Sequence, residues 1–579
     1  MKTYKILIIA LVLSVSMGCE DDFLDRPDLD NISAENFWKT PEDLELYATQ
    51  FYLSLPGWQP GGWNGGIYWE DDNSDNIIHN NVATSGTILG DNIPTTGNNN
   101  WDFGAIRSMN IFMENYENVE AAFDDIKHYV GEVLFFRALA HFNLVRNYGD
   151  VPWLDKSLLP DSEELQGERM ARNVVIDNIM ADLDNAIAYL VSGRNSGGNR
   201  LNRECASLLK ARVALYEGTW EKYHAGTAYG VSGSDGSQYL QIAADVAKAL
   251  IDDPGGFAIY TTGDPSTDYT MLFNQADYSA NPEVMLWRQF NLNEGVTHNG
   301  QRYLPRIGGG RGLTKALVDS YLLTDGLPIA ASPLYQGDQS LTEVAANRDL
   351  RLSQTMWLPG QLMQTGRGAP DVFFERAPLE DGGAAGCPTG YMIRKGANTD
   401  RELSHTGGVG TTSSPIFRFA EALLIYAEAK AEMGTITQND VDMTINVIRD
   451  RAGMPGLVIN NIFNDPDWQF PSLSPIINEV RRERRIELAA EGYRFDDLMR
   501  WRAHETFIGA RFKGAFFVQS DYPSLEEGVS VFLDNDGYID PHQTQIPSGL
   551  AFDPNRDYLL PVPLDEITLN SNLTQNPGW

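Results

Sequence analysis

The chain has 579 residues, of which 42% are hydrophobic and 21% charged, and carries a formal net charge of −35. That length buries a sizeable core, as one large domain or several smaller ones. So large an excess of negative charge excludes nucleic acid and anionic lipid as electrostatic partners and suits a secreted or surface protein kept soluble by repulsion.

Residues 1–18 open with Lys2 and Lys5, continue as an apolar run over residues 6–13 and close on mostly small residues before Cys19. The pattern predicts a secretory signal, too short to span a bilayer, and no other stretch is long and apolar enough to cross one. Ser16-Met17-Gly18-Cys19 resembles a bacterial lipobox, in which Cys19 is acylated and becomes the mature N-terminus; the alternative is an ordinary cysteine near a cleavage site. Two or three acyl chains, at about 0.8 kcal/mol per buried methylene, suffice for stable anchoring. Glu20, Asp21 and Asp22 resemble the tag that sends such lipoproteins to the outer face of the outer membrane. Only Cys205 and Cys387 remain, which excludes a disulfide framework and leaves a single bridge open.

A short helix is expected to start at Ser33 to Asn36. Thr40 then caps a second, with Pro41 in its first turn, running to about Leu53. Over residues 56–101 the helical period disappears, Gly, Asn, Thr and Trp dominate, and Trp58, Trp63, Tyr68, Trp69 and Trp101 gather with Asp71, Asp72, Asn73 and Asp75. Aromatic faces stack on sugar rings, and Asp and Asn side chains exchange hydrogen bonds with hydroxyls, so this loop suits carbohydrate or another polar, ring-bearing ligand. The plainer alternative is that one or two tryptophans plug the loop onto the core. Trp101 is first among these, because it leads into a helix over residues 103–119. Asp71 to Asp75 is also a candidate run for a structural calcium, without EF-hand spacing, and no other cofactor is expected.

Helices are predicted over residues 127–148, 173–190, 203–216 and from 239 to 251. Several share alanine-rich faces with an aromatic about every turn, in the manner of tetratricopeptide-type hairpins without the strict repeat signature. Residues 253–413 are loop-rich and hold Trp287, Arg288, Tyr303 and Arg306, with short strands expected at 283–290 and 390–395. Gly308 to Gly312 precede a helix but lack a GKS or GKT ending and a clear preceding strand, so nothing supports a phosphate cradle there.

The most informative stretch runs from Pro415 to Trp501. Ile416, Phe419, Ala420, Leu423, Leu424, Ala427 and Ala431 recur at three and four residue steps and predict a helix that Gly434 stops. Alanines along it leave room for another helix to approach closely. A second helix begins after Pro475, with Ile476, Ile477, Val480, Leu488 and Ala489 on one side. Arg481, Arg482, Arg484 and Arg485 interleave there with Glu479, Glu483, Glu487 and Glu491. Three readings offer themselves: a nucleic-acid surface, which the acidic chain opposes; an acid–base or metal pair at Glu483 and Glu487, which no histidine accompanies; and Arg–Glu pairing, within the helix and with its neighbours, that holds a helical frame together. The third is the expected one.

The runs PIFRFAEALLIYAEA, INVIRDRAGM at residues 445–454 and RRERRIELAAEGYRFDDLMRW resemble the SusD/RagB family of outer-membrane nutrient-binding lipoproteins. FLDRPDLDNISAENFWKT near the N-terminus, LTKALVDSYLLTDGLPI in the middle and DYLLPVPLDEITLNSNLTQNPGW at the end extend the resemblance over nearly the whole mature chain. It implies a mainly α fold of about four tetratricopeptide-like helical hairpins forming a scaffold, with long irregular loops and a few short strands packed on one side. It further implies one SusD-like domain over residues 19–579, with an N-terminal part at about 19–225 and a C-terminal part at about 270–579. The implied function is non-catalytic. A lipid-anchored protein of the cell outer membrane, facing the exterior, captures an oligosaccharide or polysaccharide and passes it to a SusC-like TonB-dependent transporter; other members of the family are associated with peptide uptake.

The eight histidines are scattered, with no zinc-like grouping, and neither a nucleophile elbow nor a cysteine with a histidine partner is present. His141 is expected to be a packed helix residue. A surface glycoside hydrolase with an aromatic-lined cleft is the competing class, but it needs two carboxylates roughly 5 to 10 Å apart across a cleft, and the sequence names none. Candidate glycan contacts are Trp58, Trp63, Tyr68, Trp69, Asp71, Asp72, Trp101, Trp287, Tyr303 and Arg306. Replacing Trp63, Trp69 or Trp287 by Ala is expected to weaken glycan retention without changing thermal stability.

Overall fold

The computed structural model describes residues 37–58, 66–97, 100–194 and 199–579. The signal segment, Cys19, the acidic triplet after it, the helix start at Ser33 and Trp63 lie outside the described residues.

Helix α1 (Pro41–Thr49) is capped as its sequence predicts: the Asp43 N–H donates to the Thr40 side chain, and the Thr40 N–H donates back to the Asp43 carboxylate at 2.8 Å. Then come α2 (Gly104–Asn115), α3 (Phe123–Tyr148), α4 (Arg172–Tyr189), α5 (Arg203–Tyr223) and α6 (Ser237–Asp252), each packed on the next. Close approach is built in. A Cβ on Gly218 of α5 would come within 2.7 Å of the Leu240 backbone nitrogen of α6, so only glycine fits where these helices meet.

The chain leaves this scaffold through its irregular middle and returns as α7 (Phe419–Glu432), which packs on α6. Helices α8 (Ile445–Arg451) and α9 (Pro475–Glu487) pack on α7, and α10 (Arg494–Arg500) closes against α5. The result is the mainly α, tetratricopeptide-like scaffold that the sequence implies. Ala420, Ala422, Ala427, Ala429 and Ala431 of α7 are all buried, as close helix packing requires. His141 is buried on α3, where burial pushes its pKa down to about 3 and keeps the ring neutral.

Several boundaries differ from the sequence reading: α5 runs on to Tyr223, α3 starts at Phe123 and α2 ends at Asn115, and three further differences have distant causes. Residues Ser414–Arg418 form strand β6, so α7 starts at Phe419 and Ile416 lies in the strand; buried antiparallel pairing with β2 (Val284–Arg288) overrides the helical period there. Helix α9 stops at Glu487, ahead of Leu488 and Ala489, because Ala490 (φ 58°) and Gly492 (φ 78°) turn left-handed. Residues 390–395 are not a strand. They make one isolated bridge, Met356 to Ile393, and the Arg394 N–H turns to the Thr355 carbonyl at 2.7 Å. The other strands are short: β1 (Ile77–His79) pairs antiparallel with β3 (Arg311–Leu313), and β4 (Leu362–Gln364) with β5 (Val372–Phe373).

The two largest apolar cores among the described residues lie one within the helices and one beneath the loops. Val480 of α9 belongs to the first and Ile486 to the second. Between these apolar contacts the charged side chains of α9 are also buried and paired, mostly with other elements. Arg351 reaches Glu483 at 2.7 Å and Glu487 at 3.0 Å, Arg418 reaches Glu487 at 2.7 Å and Glu283 at 2.9 Å, and Arg449 and Arg451 of α8 reach Glu483 and Glu487 at 2.8 and 2.5 Å. Burial alone would raise the Glu487 carboxyl, but Arg451, Arg418 and Arg351 outweigh it and hold the group well below the usual carboxylate range. Glu483 and Glu487 are therefore structural anions occupied by four arginines. The Arg–Glu run ties the loop-rich middle of the chain to the scaffold.

Candidate ligand-binding site

Four of the aromatic candidates converge under the loops. Trp58 is wholly buried and stacks against Tyr68 and His298, with ring centroids 4.4 and 4.8 Å away. Gly300 lies so close that a Cβ there would sit 2.2 Å from the Trp58 indole, and one on Gly396 would sit 2.5 Å from the Tyr68 ring. Burial pushes the His298 pKa down to about 3. The neutral ring accepts the Gly300 N–H on Nδ1 at 3.0 Å and donates from Nε2 to the Thr412 carbonyl at 2.8 Å. Trp58 and Tyr68 therefore fill the loop core and present no face to a sugar, which corrects their expected role.

Trp69 lies nearer the surface, 8% exposed, with Tyr303 edge-on at 4.6 Å and the Arg311 guanidinium 3.8 Å over its ring. Arg311 pairs in turn with Asp72 at 2.6 Å. Burial pushes Asp72 up to about 7 against the pull of Arg311. Asp71 accepts the Ala490 and Arg494 N–H groups at 2.9 and 3.2 Å, and Asp75 pairs with Arg494 at 2.6 Å and Arg485 at 3.2 Å. The acidic run thus holds the α9–α10 corner, and these side chains are engaged by protein groups. Among the described residues no group of three His, Cys, Asp or Glu side chains is placed to hold a metal ion.

Other candidates lie apart from this layer. Trp101 packs edge-on against Tyr148 at 4.8 Å, in the helical core. Trp287, 3% exposed, belongs to a separate small cluster with Tyr278 and lies under Arg194, whose guanidinium is 5.6 Å from the ring. Arg306 is exposed and donates to the His405 carbonyl at 2.8 Å. Because Trp69 and Trp287 are buried, truncating either leaves a cavity. Such variants lower stability, contrary to the expectation that only binding would change.

Two clefts of about 260 and about 240 Å³ open beside the aromatic layer, in the seam between residues 375–390 and 515–545. Asn80, Asp381, Phe532 and Gln545 wall the first; Asp338, Glu375, Arg376 and Phe516 wall the second; Leu379 and Ile539 line both. Beneath the seam Phe517, Tyr522, Val531 and Ile539 form a small apolar cluster, and Tyr522 donates to the Ala377 carbonyl at 3.0 Å. Backbone contacts join the seam to the aromatic layer. The Asn80 carboxamide donates to the Gly383 carbonyl at 2.9 Å, the Gly310 N–H to the Gly386 carbonyl at 2.9 Å, and Gly309 packs where a Cβ would come 3.0 Å from Trp69. Cys387 also lines the first cleft, but burial pushes its thiol up to about 11, which leaves it inert as a nucleophile. Phe516 and Phe532, both half-buried at cleft walls, carry no signal in the sequence beyond lying in a long segment without helical period.

Comparison with known proteins gives the same architecture a lineage. The SusD family model matches residues 272–579, and a second model, described as starch-binding and associating with the outer membrane, matches residues 23–215. SusD-like protein P2 of Formosa agariphila is 25% identical, covering 100% of each chain. A solved SusD-like carbohydrate binding protein from Bacteroides fragilis superposes with a TM-score of 0.70 at 22% identity, covering 93% of this chain and 100% of that one. A laminarin binding SusD-like protein superposes with a TM-score of 0.57 at 18% identity, covering 94% and 100%. At these identities the superpositions establish a shared fold, and the family model, matched from residue 272 to residue 579, places the chain in the SusD family.

Proposed function

We propose that the protein is a non-catalytic, lipid-anchored receptor on the outer membrane that captures a glycan on its loop side and hands it to a SusC-like TonB-dependent transporter. The observation that carries this reading is the match to family models in both halves of the chain, the N-terminal model being described as starch-binding and outer-membrane-associated. Relatives of the same fold described as carbohydrate binding and laminarin binding support the ligand class.

The chemistry of the loop side is compatible with capture. Half-buried phenyl rings stand beside carboxamides and carboxylates, the mixture that grips a sugar by its C–H face and its hydroxyls together. Each ring supplies about 0.5 to 1.5 kcal/mol and hydroxyls exchange water bonds for protein bonds at little net gain, so binding rests on several contacts acting together. Anchoring falls to Cys19 and its acyl chains. No helix among the described residues is long and apolar enough to cross a membrane.

Affinity electrophoresis of soluble protein spanning residues 20–579 against a panel of polysaccharides tests the reading. At least one gel-embedded polysaccharide should retard it. Retardation by none, together with binding of mixed oligopeptides, would replace glycan capture by peptide capture.

A further inference from the structure

We infer that the seam between residues 375–390 and 515–545 is a groove for an uncharged polysaccharide chain, with Phe516 and Phe532 offering ring faces to sugar units along it. The inference rests on the glycan-capture reading and adds to it a location and a ligand charge.

Shape favours a chain over a small molecule. Each cleft, at about 260 and about 240 Å³, is below the roughly 300 Å³ at which small-molecule pockets begin. Leu379 and Ile539 line both, so the two clefts adjoin, an arrangement that suits an extended ligand better than a compact one.

The Phe516 ring and the Phe532 backbone are held in place before any ligand arrives. Gly537 backs Phe516 so closely that a Cβ there would come 2.8 Å from the ring, and Tyr538 meets it edge-on at 5.8 Å. Phe532 follows Val531, which is fixed in the small apolar cluster, and its carbonyl accepts the Asp540 N–H at 2.8 Å. A ring already ordered, as that of Phe516 is, loses little entropy on binding, so more of the stacking energy reaches the complex.

Charge selects against anionic chains. Asp381 lines the first cleft, and Glu375 and Asp521 line the second, where Asp338 is already paired with Lys315 at 2.8 Å and adds no free charge. Among the described residues Arg376 is the one cation on either wall, and it is committed to Glu380 at 2.6 Å and to the Tyr522 ring, 4.6 Å from its guanidinium. Neutral hydroxyls donate to such carboxylates, whereas uronate or sulfate groups meet them as like charges, on a chain whose net charge is −35.

The test is affinity electrophoresis of the soluble protein in gels containing laminarin, amylopectin, alginate or chondroitin sulfate. Phe516→Ala, Phe532→Ala, the double variant and Phe532→Leu are run beside a Phe373→Ala control, whose ring is exposed and lines neither cleft. We expect retardation by laminarin or amylopectin and by neither polyanion. Each Ala variant should weaken retardation by roughly twofold to tenfold and the double variant should abolish it, with Phe373→Ala unchanged. Phe532→Leu keeps the apolar bulk without the flat face, so its weakening at an unchanged melting temperature separates stacking from folding. Neutral-gel retardation that survives the double variant and Phe532→Leu would put the site elsewhere and leave the capture reading standing. Retardation by alginate or chondroitin sulfate would overturn the charge selection, and retardation in no gel would overturn both proposals.

Discussion

Arg418 and Glu487 meet at 2.7 Å with both side chains almost fully withdrawn from solvent. One comes from the end of β6 and the other from the last turn of α9, so the pair joins the small β2–β6 sheet to the helical scaffold. Removing one partner strands a buried charge. Glu487→Gln or Arg418→Met should lower unfolding free energy by about 3 to 5 kcal/mol in urea titrations at pH 7, and a loss below about 1 kcal/mol would show that the pair does not hold the frame.

Stability should depend on pH in two opposing ways. Burial raises Glu483, Glu487 and Glu491, but the cations facing them prevail and hold all three below the ordinary range. Their contribution is complete above the unfolded carboxylate value of about 4.3 and disappears as pH falls below it. Asp71 and Asp72 act oppositely: burial raises them to about 6 and about 7, so their protonated forms favour the folded state and that contribution is lost as pH rises toward 7. Buried His141 and His298, held at about 3, act with the glutamates, because the unfolded chain takes up protons on them below about 6.5 that the folded state refuses. Denaturant midpoints should therefore fall steeply toward pH 3, and the aspartate effect is read by difference: the midpoint of Asp72→Asn relative to the parent should rise between about pH 5 and 7, and a constant gap would contradict this assignment.

Packing around Trp58 makes a third test. Gly300→Ala places a methyl group 2.2 Å from the indole, an overpacking that typically removes about 1 to 3 kcal/mol. Trp58→Ala empties the site and should remove about 3 to 5 kcal/mol. Arg306→Ala, at an exposed position, should stay within about 0.5 kcal/mol of the parent. Calorimetric melting of the three variants decides, and a silent Trp58→Ala would mean that the indole is not the keystone of the loop core.

Cys205 and Cys387 are free and buried, and burial raises both thiols. Protein lacking residues 1–19 should show no fast reaction with a thiol reagent until it unfolds, then two equivalents. A thiol that labels within seconds in the native state would contradict the buried placement.

Much of the scaffold was legible in the sequence because its signals are local. The Thr40–Asp43 cap, the period of α7 from Phe419 onward and the stop at Gly434 depend on residues within a few positions of each other. What failed depended on distant partners. Ile416 carries a helical period, but residues 284–288 pair with the strand that contains it. Trp58 sits in a loop whose composition suits a ligand, but His298 and Gly300, far along the chain, enclose it. The Arg–Glu spacing of α9 announced pairing, whereas the partners Arg351, Arg418 and Arg451 are fixed only by the fold. The clefts were illegible for the same reason, since Asn80, Asp381 and Phe532 meet only in three dimensions.

Capture without cleavage is the central claim, and one measurement addresses it directly. Soluble protein is incubated overnight with the polysaccharide that retards it most, then separated, and the chain-length distribution of the bound polymer is compared with that of untreated polymer. The account predicts polymer recovered with the protein at unaltered length. Progressive release of shortened chains, or polymer that never co-elutes with the protein, would contradict it.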